Sequence, residues 1–223
     1  IGGKGDMYLS IYNMARVRKV SLQEQFNLAN NWNLQSIELD HVVRTYAAYK
    51  QALEKIDFVD MIEMFISQGE APELDLLIVD EAQDLVPLQW DMVDKLKNNS
   101  QKIYYAGDDD QAIYEWMGVD SSEFVQRCNT ADEALVLNQS FRVPSSVHEE
   151  ATRMIKHVQG RIEKKWNPRE DHGNVSYHYK IDELPLEEGQ WMILARTNYI
   201  ANRVAVDLKL SLIHISEPTR QSL

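Results

Sequence analysis

The sequence predicts an α/β fold built on a parallel sheet, and three observations carry that prediction. The apolar run Leu76-Leu77-Ile78-Val79 reads as a strand buried on both faces, and it stops at the adjacent carboxylates Asp80 and Glu81. A second short strand, Lys102 to Ala106, leads through Gly107 into another acidic run, Asp108-Asp109-Asp110-Gln111. Between the two, Leu88, Met92, Val93 and Leu96 recur at helical spacing, giving the crossover that parallel strands require.

The remaining elements follow in chain order. Residues 1 to about 39 are polar and mixed; Gly2-Gly3-Lys4-Gly5-Asp6 reads as a turn, and Arg16, Arg18 and Lys19 form a small basic cluster, a solvated face or a contact for DNA. Asp40 is placed to cap a helix whose stripe is Val42, Tyr46, Tyr49, Leu53 and Ile56. Asp57 is placed to cap the next, with Phe58, Met61, Ile62, Phe65 and Ile66 inward. After the two strands, Ala134 to Leu137 reads as a third, ending in Asn138-Gln139-Ser140-Phe141-Arg142. Val147, Ala151, Met154, Ile155 and Val158 then recur at helical spacing. Gly173 to Tyr179 alternates like a strand, Gln190 to Ala195 reads as a buried strand, and Ile200 to Leu208 as a helix.

The acidic loops carry the chemistry. Open α/β sheets place ligands beyond the carboxyl ends of their strands, where both runs fall. Adjacent acids there repel and lose solvation, costs that a magnesium ion with a nucleotide phosphate offsets. One carboxylate then holds the metal and the other orients or deprotonates water. Asp-Glu after a strand also suits an ordinary helix cap and first turn, but the second acidic loop repeats the placement.

At this point the residues resemble a family. Val79-Asp80-Glu81-Ala82-Gln83-Asp84 resembles motif II of the superfamily 1 DNA helicases of the UvrD/Rep type. Gly107-Asp108-Asp109-Asp110-Gln111-Ala112-Ile113-Tyr114-Glu115-Trp116-Met117-Gly118 resembles their motif III, and Leu137-Asn138-Gln139-Ser140-Phe141-Arg142 their motif IV. Ile193-Leu194-Ala195-Arg196-Thr197-Asn198 is similar to the following strand of their second motor domain. The order and spacing make the signal specific, and it runs from about Asp57 to about Leu208.

The resemblance implies a RecA-like parallel sheet with helices on both faces. It divides the chain into a helical insertion or remainder of a first motor domain (1–56), that domain's RecA-like core (57–137), and the start of a second motor domain (138–209). It implies ATP and magnesium as cofactors, with Asp80 holding the metal and Glu81 the base for the attacking water. Gln111 would sense the γ-phosphate, Arg142 would be an arginine finger, and Phe141 would stack on adenine. Tyr114 and Trp116 would meet bases of single-stranded DNA, and Arg196 and Asn198 its phosphates. The implied activity is ATP-driven movement on single-stranded DNA with unwinding of partly duplex DNA, in the cytoplasm of a bacterial or phage-infected cell. A helicase–nuclease subunit and a catalytically silent DNA-binding or interaction module are the alternatives.

From the residues alone, other roles stay open. Trp116 suits a surface-to-core anchor, Phe141 a core position, Arg142 a pairing with Asp108 or Asp110, and Arg196 a helix cap or surface ion pair. Met117 stands where the family commonly has arginine, and it cannot contact phosphate. No Gly-x-x-x-x-Gly-Lys-Ser/Thr string occurs, so the backbone cradle and lysine that grip phosphates are not in this sequence, which reads as an internal piece of a helicase. Residues 210–223, from Leu210 through Pro218 and Arg220, resemble a translated sequencing adapter and are set aside as a non-native tail.

Composition narrows the partners. A net charge of −12 over 223 residues excludes a general nucleic-acid coat, so any DNA contact must be a local groove. One cysteine, Cys128, excludes an internal disulfide framework, and the six histidines show no metal-ligand spacing. No signal peptide or membrane-spanning run appears.

Overall fold

The computed structural model describes residues 3–29, 33–186 and 188–208, in two compact units that meet in sequence between His172 and Gly173. The first unit opens with four helices: α1 (Lys4–Arg18), α2 (Leu22–Ala29), α3 (Ser36–Ala52) and α4 (Phe58–Gln68). Strand β1 (Leu74–Val79), helix α5 (Pro87–Lys97) and strand β2 (Ser100–Tyr105) follow, then α6 (Ser121–Thr130) and α7 (Ser145–Ile155). The second unit contains α8 (Asn198–Asp207), whose Thr197 Oγ accepts from the Ile200 amide as an N-cap.

The β1–α5–β2 unit forms as the periodicity predicts. β1 and β2 pair in parallel, Leu76 opposite Lys102 and Val79 opposite Tyr105. Pro87 starts α5 at a position where its missing N–H costs nothing. Leu77, Val79, Ile103 and Tyr105 occupy the less exposed face of the sheet. Val79, Ile103 and Tyr105 pack there with the buried Ala82, Trp90, Val93 and Phe124. Arg127 of α6 forks onto Asp94 of α5 at 2.7 and 2.8 Å and lies 4.2 Å from the Trp90 ring, fastening the two helices.

Several expectations are corrected here. Among the described residues the sheet has two strands, and β1 is buried on one face only: Leu76 and Ile78 are 44% and 63% exposed. Helices therefore cover one face of the sheet among the described residues, not both. Residues 134–137 form no strand, and Leu137 is 94% exposed; the chain makes only an isolated bridge from Gln139 to Asn167. Residues 173–179 and 190–195 are likewise irregular and largely exposed. An apolar run becomes a strand only when a neighbour takes its backbone hydrogen bonds, and none of the described residues does so here.

The N-terminal region is more ordered than its polarity suggests. Lys4 opens α1 rather than lying in a turn, because Asp6 accepts from the Gly3 amide at 2.9 Å and closes the first turn. Tyr8 and Ile11 of α1 join Leu34 and Leu39 in a core cluster against which Val42 and Val43 pack. Helix α3 begins at Ser36, so Asp40 lies inside it rather than capping it, and Tyr49, Leu53 and Ile56 are exposed. Asp57 caps α4 as expected, accepting from the Asp60 amide. The inward face of α4 is Val59, Ile62 and Ile66, however, while Phe58 and Met61 face solvent. The adapter-like residues 210–223 lie outside the described residues. Among the described residues no helix is long and apolar enough to cross a membrane.

Within the basic cluster Arg16 is spent internally, whereas Lys19 stays half-exposed and pairs at the surface. Arg16 pairs with Asp57, Asp60 and Glu63 at 3.1, 2.6 and 2.6 Å, and Lys50 joins Asp57 and Asp60 at 2.7 and 2.5 Å. Arg18 donates to the Glu115 carbonyl at 3.0 Å, and Lys19 reaches Asp91 at 2.5 Å. Arg16 is 10% exposed and ties α1 to α4, so Arg16→Ala leaves a cluster of acids short of a cation. A loss of about 3–5 kcal/mol in urea unfolding at neutral pH is expected. A loss near zero would show the cluster to be energetically neutral.

Burial alone would raise the Asp57 carboxyl, but the Lys50 ammonium, the Asp60 amide and Arg16 outweigh it and hold it at about 2. Its folded value is thus depressed below the ordinary 3.8, so its stabilisation is complete above that value and is lost as pH falls toward 2.

Candidate active site

The two acidic loops leave the carboxyl ends of β1 and β2 side by side. Beyond the strands the pairing continues, with the Ala106 amide donating to the Val79 carbonyl at 2.8 Å and Ala82 to Ala106 at 2.9 Å. Asp80 and Glu81 follow β1 directly, both exposed. Glu81 sits in the left-handed region at φ 49°, a conformation that costs a side-chain-bearing residue about 1 kcal/mol. That turn sends the chain into a short 3-10 segment, Ala82–Asp84, whose Ala82 and Gln83 are buried.

Gln83 joins the loops. Its Nε2 donates to Glu81 Oε2 at 2.8 Å, and its Oε1 accepts from the Asp108 amide at 3.0 Å. At 2% exposure, this amide has no water to fall back on. Gly107 makes the contact possible: a Cβ there would lie 2.6 Å from Gln83 Oε1 and 2.9 Å from the Phe124 ring. The sequence showed Gln83 only as part of a string; nothing local marks an amide whose partners lie on two different loops.

The second loop turns through a 3-10 segment, Asp109–Gln111, capped by the Asp108 side chain. Gln111 Nε2 donates to Asp108 Oδ2 at 2.6 Å. A later segment neutralises these acids: Arg161 forks onto Asp110 with both contacts at 2.6 Å, and the Ile162 amide donates to Asp109 at 2.6 Å. Lys164 reaches Asp108 at 3.0 Å and Asp110 at 3.1 Å, and also contacts Asp109. Burial would raise the Asp110 carboxyl, but Arg161 and Lys164 outweigh it and hold it below the usual range. Asp84, by contrast, is pushed up by burial and then by the charge of Glu81.

Asp80 suits an oxygen-loving cation. Its Oδ1 accepts from the Glu81 amide at 3.0 Å, and among the described residues no basic side chain neutralises it. Among the described residues no group of three or more His, Cys, Asp or Glu side chains is placed to hold a metal ion.

The structure therefore links Glu81 and Gln111 through Gln83 and Asp108, with Asp80 adjacent to Glu81 in the chain. Tyr114 and Trp116 follow on the same loop, Trp116 66% exposed, which does not suit a core anchor. Phe141 is 87% exposed and is no core residue. Arg142 is exposed and does not pair with Asp108 or Asp110, whose charges Lys164 and Arg161 already meet. Its loop is held by Ser140 Oγ, which accepts from the Arg142 and Val143 amides. Arg196 and Asn198 lie in the second unit, both exposed, Asn198 as the first residue of α8.

Comparison with known proteins shows which family the chain belongs to. The family described as UvrD/REP helicase N-terminal domain matches residues 7–132. A DNA helicase II of Escherichia coli (strain K12) is 27% identical over 156 residues, covering 63% of this chain and 22% of that protein. An ATP-dependent DNA helicase PcrA of Leuconostoc citreum is 27% identical over 152 residues, with coverages of 61% and 20%. The PcrA of Bacillus subtilis (strain 168) is 28% identical over 169 residues, covering 69% of this chain and 23% of that protein. The chain thus spans about a fifth of the length of the curated relatives it matches.

Proposed function

Because the chain belongs to the UvrD/REP helicase N-terminal domain family, we propose that it is part of an ATP-dependent helicase that moves on single-stranded DNA and opens duplexes. Residues 57–137 are assigned to the RecA-like core of a first motor domain, 1–56 to its helical remainder, and 138–209 to the start of a second. A cytoplasmic location in a bacterial or phage-infected cell belongs to the same proposal. The observation that carries the reading is the hydrogen-bonded joining of the Asp80–Glu81 and Asp108–Gln111 loops through Gln83.

Each residue then has a task. Asp80 would hold magnesium through water, and the ion would supply charge to offset the phosphates. Glu81, oriented by Gln83, takes a proton from the attacking water. Gln111 can turn its amide from Asp108 to the γ-phosphate, donating to an oxygen or accepting from water. Arg142 supplies positive charge to the transferring phosphoryl group, and the exposed ring of Phe141 is available to an adenine face. Tyr114 and Trp116 offer stacking surfaces to DNA bases, while Arg196 and Asn198 serve its phosphates.

Trp116→Ala in the full-length protein tests the track assignment. Single-stranded DNA binding should weaken by about 1–3 kcal/mol, similarly across sequences, because every base offers a π-face. DNA-stimulated hydrolysis should fall with it while hydrolysis without DNA changes little. Normal DNA binding with a lowered melting temperature would return Trp116 to a structural role.

The 223-residue chain alone should not turn over ATP measurably, since its sequence contains no glycine cradle and lysine to hold the triphosphate in line. Robust DNA-stimulated turnover by the purified chain would overturn this expectation. The silent-module reading is favoured by one observation, Met117 in place of a cation after Trp116. A full-length protein that binds DNA without hydrolysing ATP would decide for it.

A further inference from the structure

Lys164 belongs to none of the motifs discussed above, yet it is built into the site. Its side chain is 14% exposed, and its ammonium contacts the carboxylates of Asp108, Asp109 and Asp110. Asp109 is 4% exposed and is held from both sides, by Lys164 and by the Ile162 amide. Asp108 is the junction: Oδ1 faces Lys164 at 3.0 Å, and Oδ2 accepts from Gln111 at 2.6 Å. The Asp108 amide donates to Gln83 Oε1, and Gln83 Nε2 donates to Glu81. A continuous polar chain thus runs from Lys164 through Asp108 to Gln111 on one branch and through Gln83 to Glu81 on the other.

We infer that Lys164 is a positioning residue for the phosphate-facing side chains: by holding Asp108 it fixes the resting place of Gln111 and, through Gln83, the orientation of the Glu81 carboxylate. This rests on the roles given to Gln111 and Glu81 under Proposed function. Arg161 assists by fixing Asp110 bidentately, so the loop cannot pivot about a single ion pair. With Lys164 removed, Arg161 still meets Asp110 but Asp108 and Asp109 have no cation, so the adjacent aspartates repel and the loop relaxes away from Gln83. The substrate-binding surface itself keeps all its groups, so the loss should fall on turnover.

The test is a mutant cycle in the full-length protein. Lys164→Met should lower kcat for ATP hydrolysis about 10- to 100-fold, the scale on which small misplacements act, with KM for ATP within about twofold. Lys164→Arg, which keeps the cation, should recover most of the rate. In a Gln111→Ala background the Lys164→Met loss should shrink sharply, because the two act along one path. Unchanged kcat in Lys164→Met beside an impaired Gln111→Ala overturns the inference and leaves the functional reading standing. The same holds for losses that simply add. No hydrolysis by the unsubstituted protein, or wild-type turnover by Gln111→Ala, overturns the reading and the inference with it.

Hydrogen exchange on the 223-residue chain gives a readout independent of ATP. Lys164→Met should speed exchange at Asp108–Gln111 and Gln83, with peptides from α1 to α4 unchanged. A comparable rise in α1–α4 would make Lys164 a general fold contact and overturn the proposal.

Discussion

Replacing Glu81 with glutamine in the full-length protein is expected to lower kcat for ATP hydrolysis by about 10²–10⁴-fold while nucleotide binding persists. The amide keeps the size and one acceptor of the carboxylate but removes the base. Because Glu81 is exposed and its one described side-chain partner is Gln83, the substitution disturbs little packing. Melting temperature should therefore stay near that of the unsubstituted protein. Turnover at the original rate would show that the base is elsewhere, and the upshifted Asp84 is the neighbour to examine next.

Arg142→Ala is expected to have an effect of the same order or greater. Arginine fingers contribute about 10³–10⁵-fold to phosphoryl transfer, because they stabilise charge that develops only in the transition state. The structure separates this from a stability effect. The Arg142 side chain is exposed, makes no hydrogen bond or ion pair among the described residues, and the acids it could have paired with are met by Lys164 and Arg161. Its loop is held by Ser140 instead, which the substitution leaves in place. Hydrolysis should collapse while the thermal transition does not move. Parallel losses of stability and activity would make Arg142 a structural residue.

These predictions rest on features of unequal visibility in the sequence. The β1–α5–β2 unit was legible because its signals are local: an apolar run, a helical repeat, and acids where strands end. The Asp57 cap was legible for the same reason, its partner being three residues away. What escaped were features whose partners are distant. Helix α1 hides in a polar region because Tyr8 and Ile11 are buried by Leu34 and Leu39, which no local pattern connects to them. Arg16 reads as surface charge until the acids 41 to 47 residues away close around it. Lys164 reads as one of several lysines until its ammonium is seen among three aspartates more than 50 residues upstream. The failed strands err the other way: residues 134–137 and 190–195 have strand composition, but composition does not supply a neighbour.

The left-handed backbone at Glu81 has a consequence for anyone randomising this position. Glycine takes that conformation freely and asparagine nearly so, whereas valine and isoleucine resist it. A library selected only for soluble, protease-resistant chains should therefore enrich glycine and asparagine at position 81 and deplete the β-branched residues. A library selected for turnover should return glutamate against that conformational current. The gap between the two selections would measure, in sequence counts, how much folding preference the chain forgoes at this residue for chemistry.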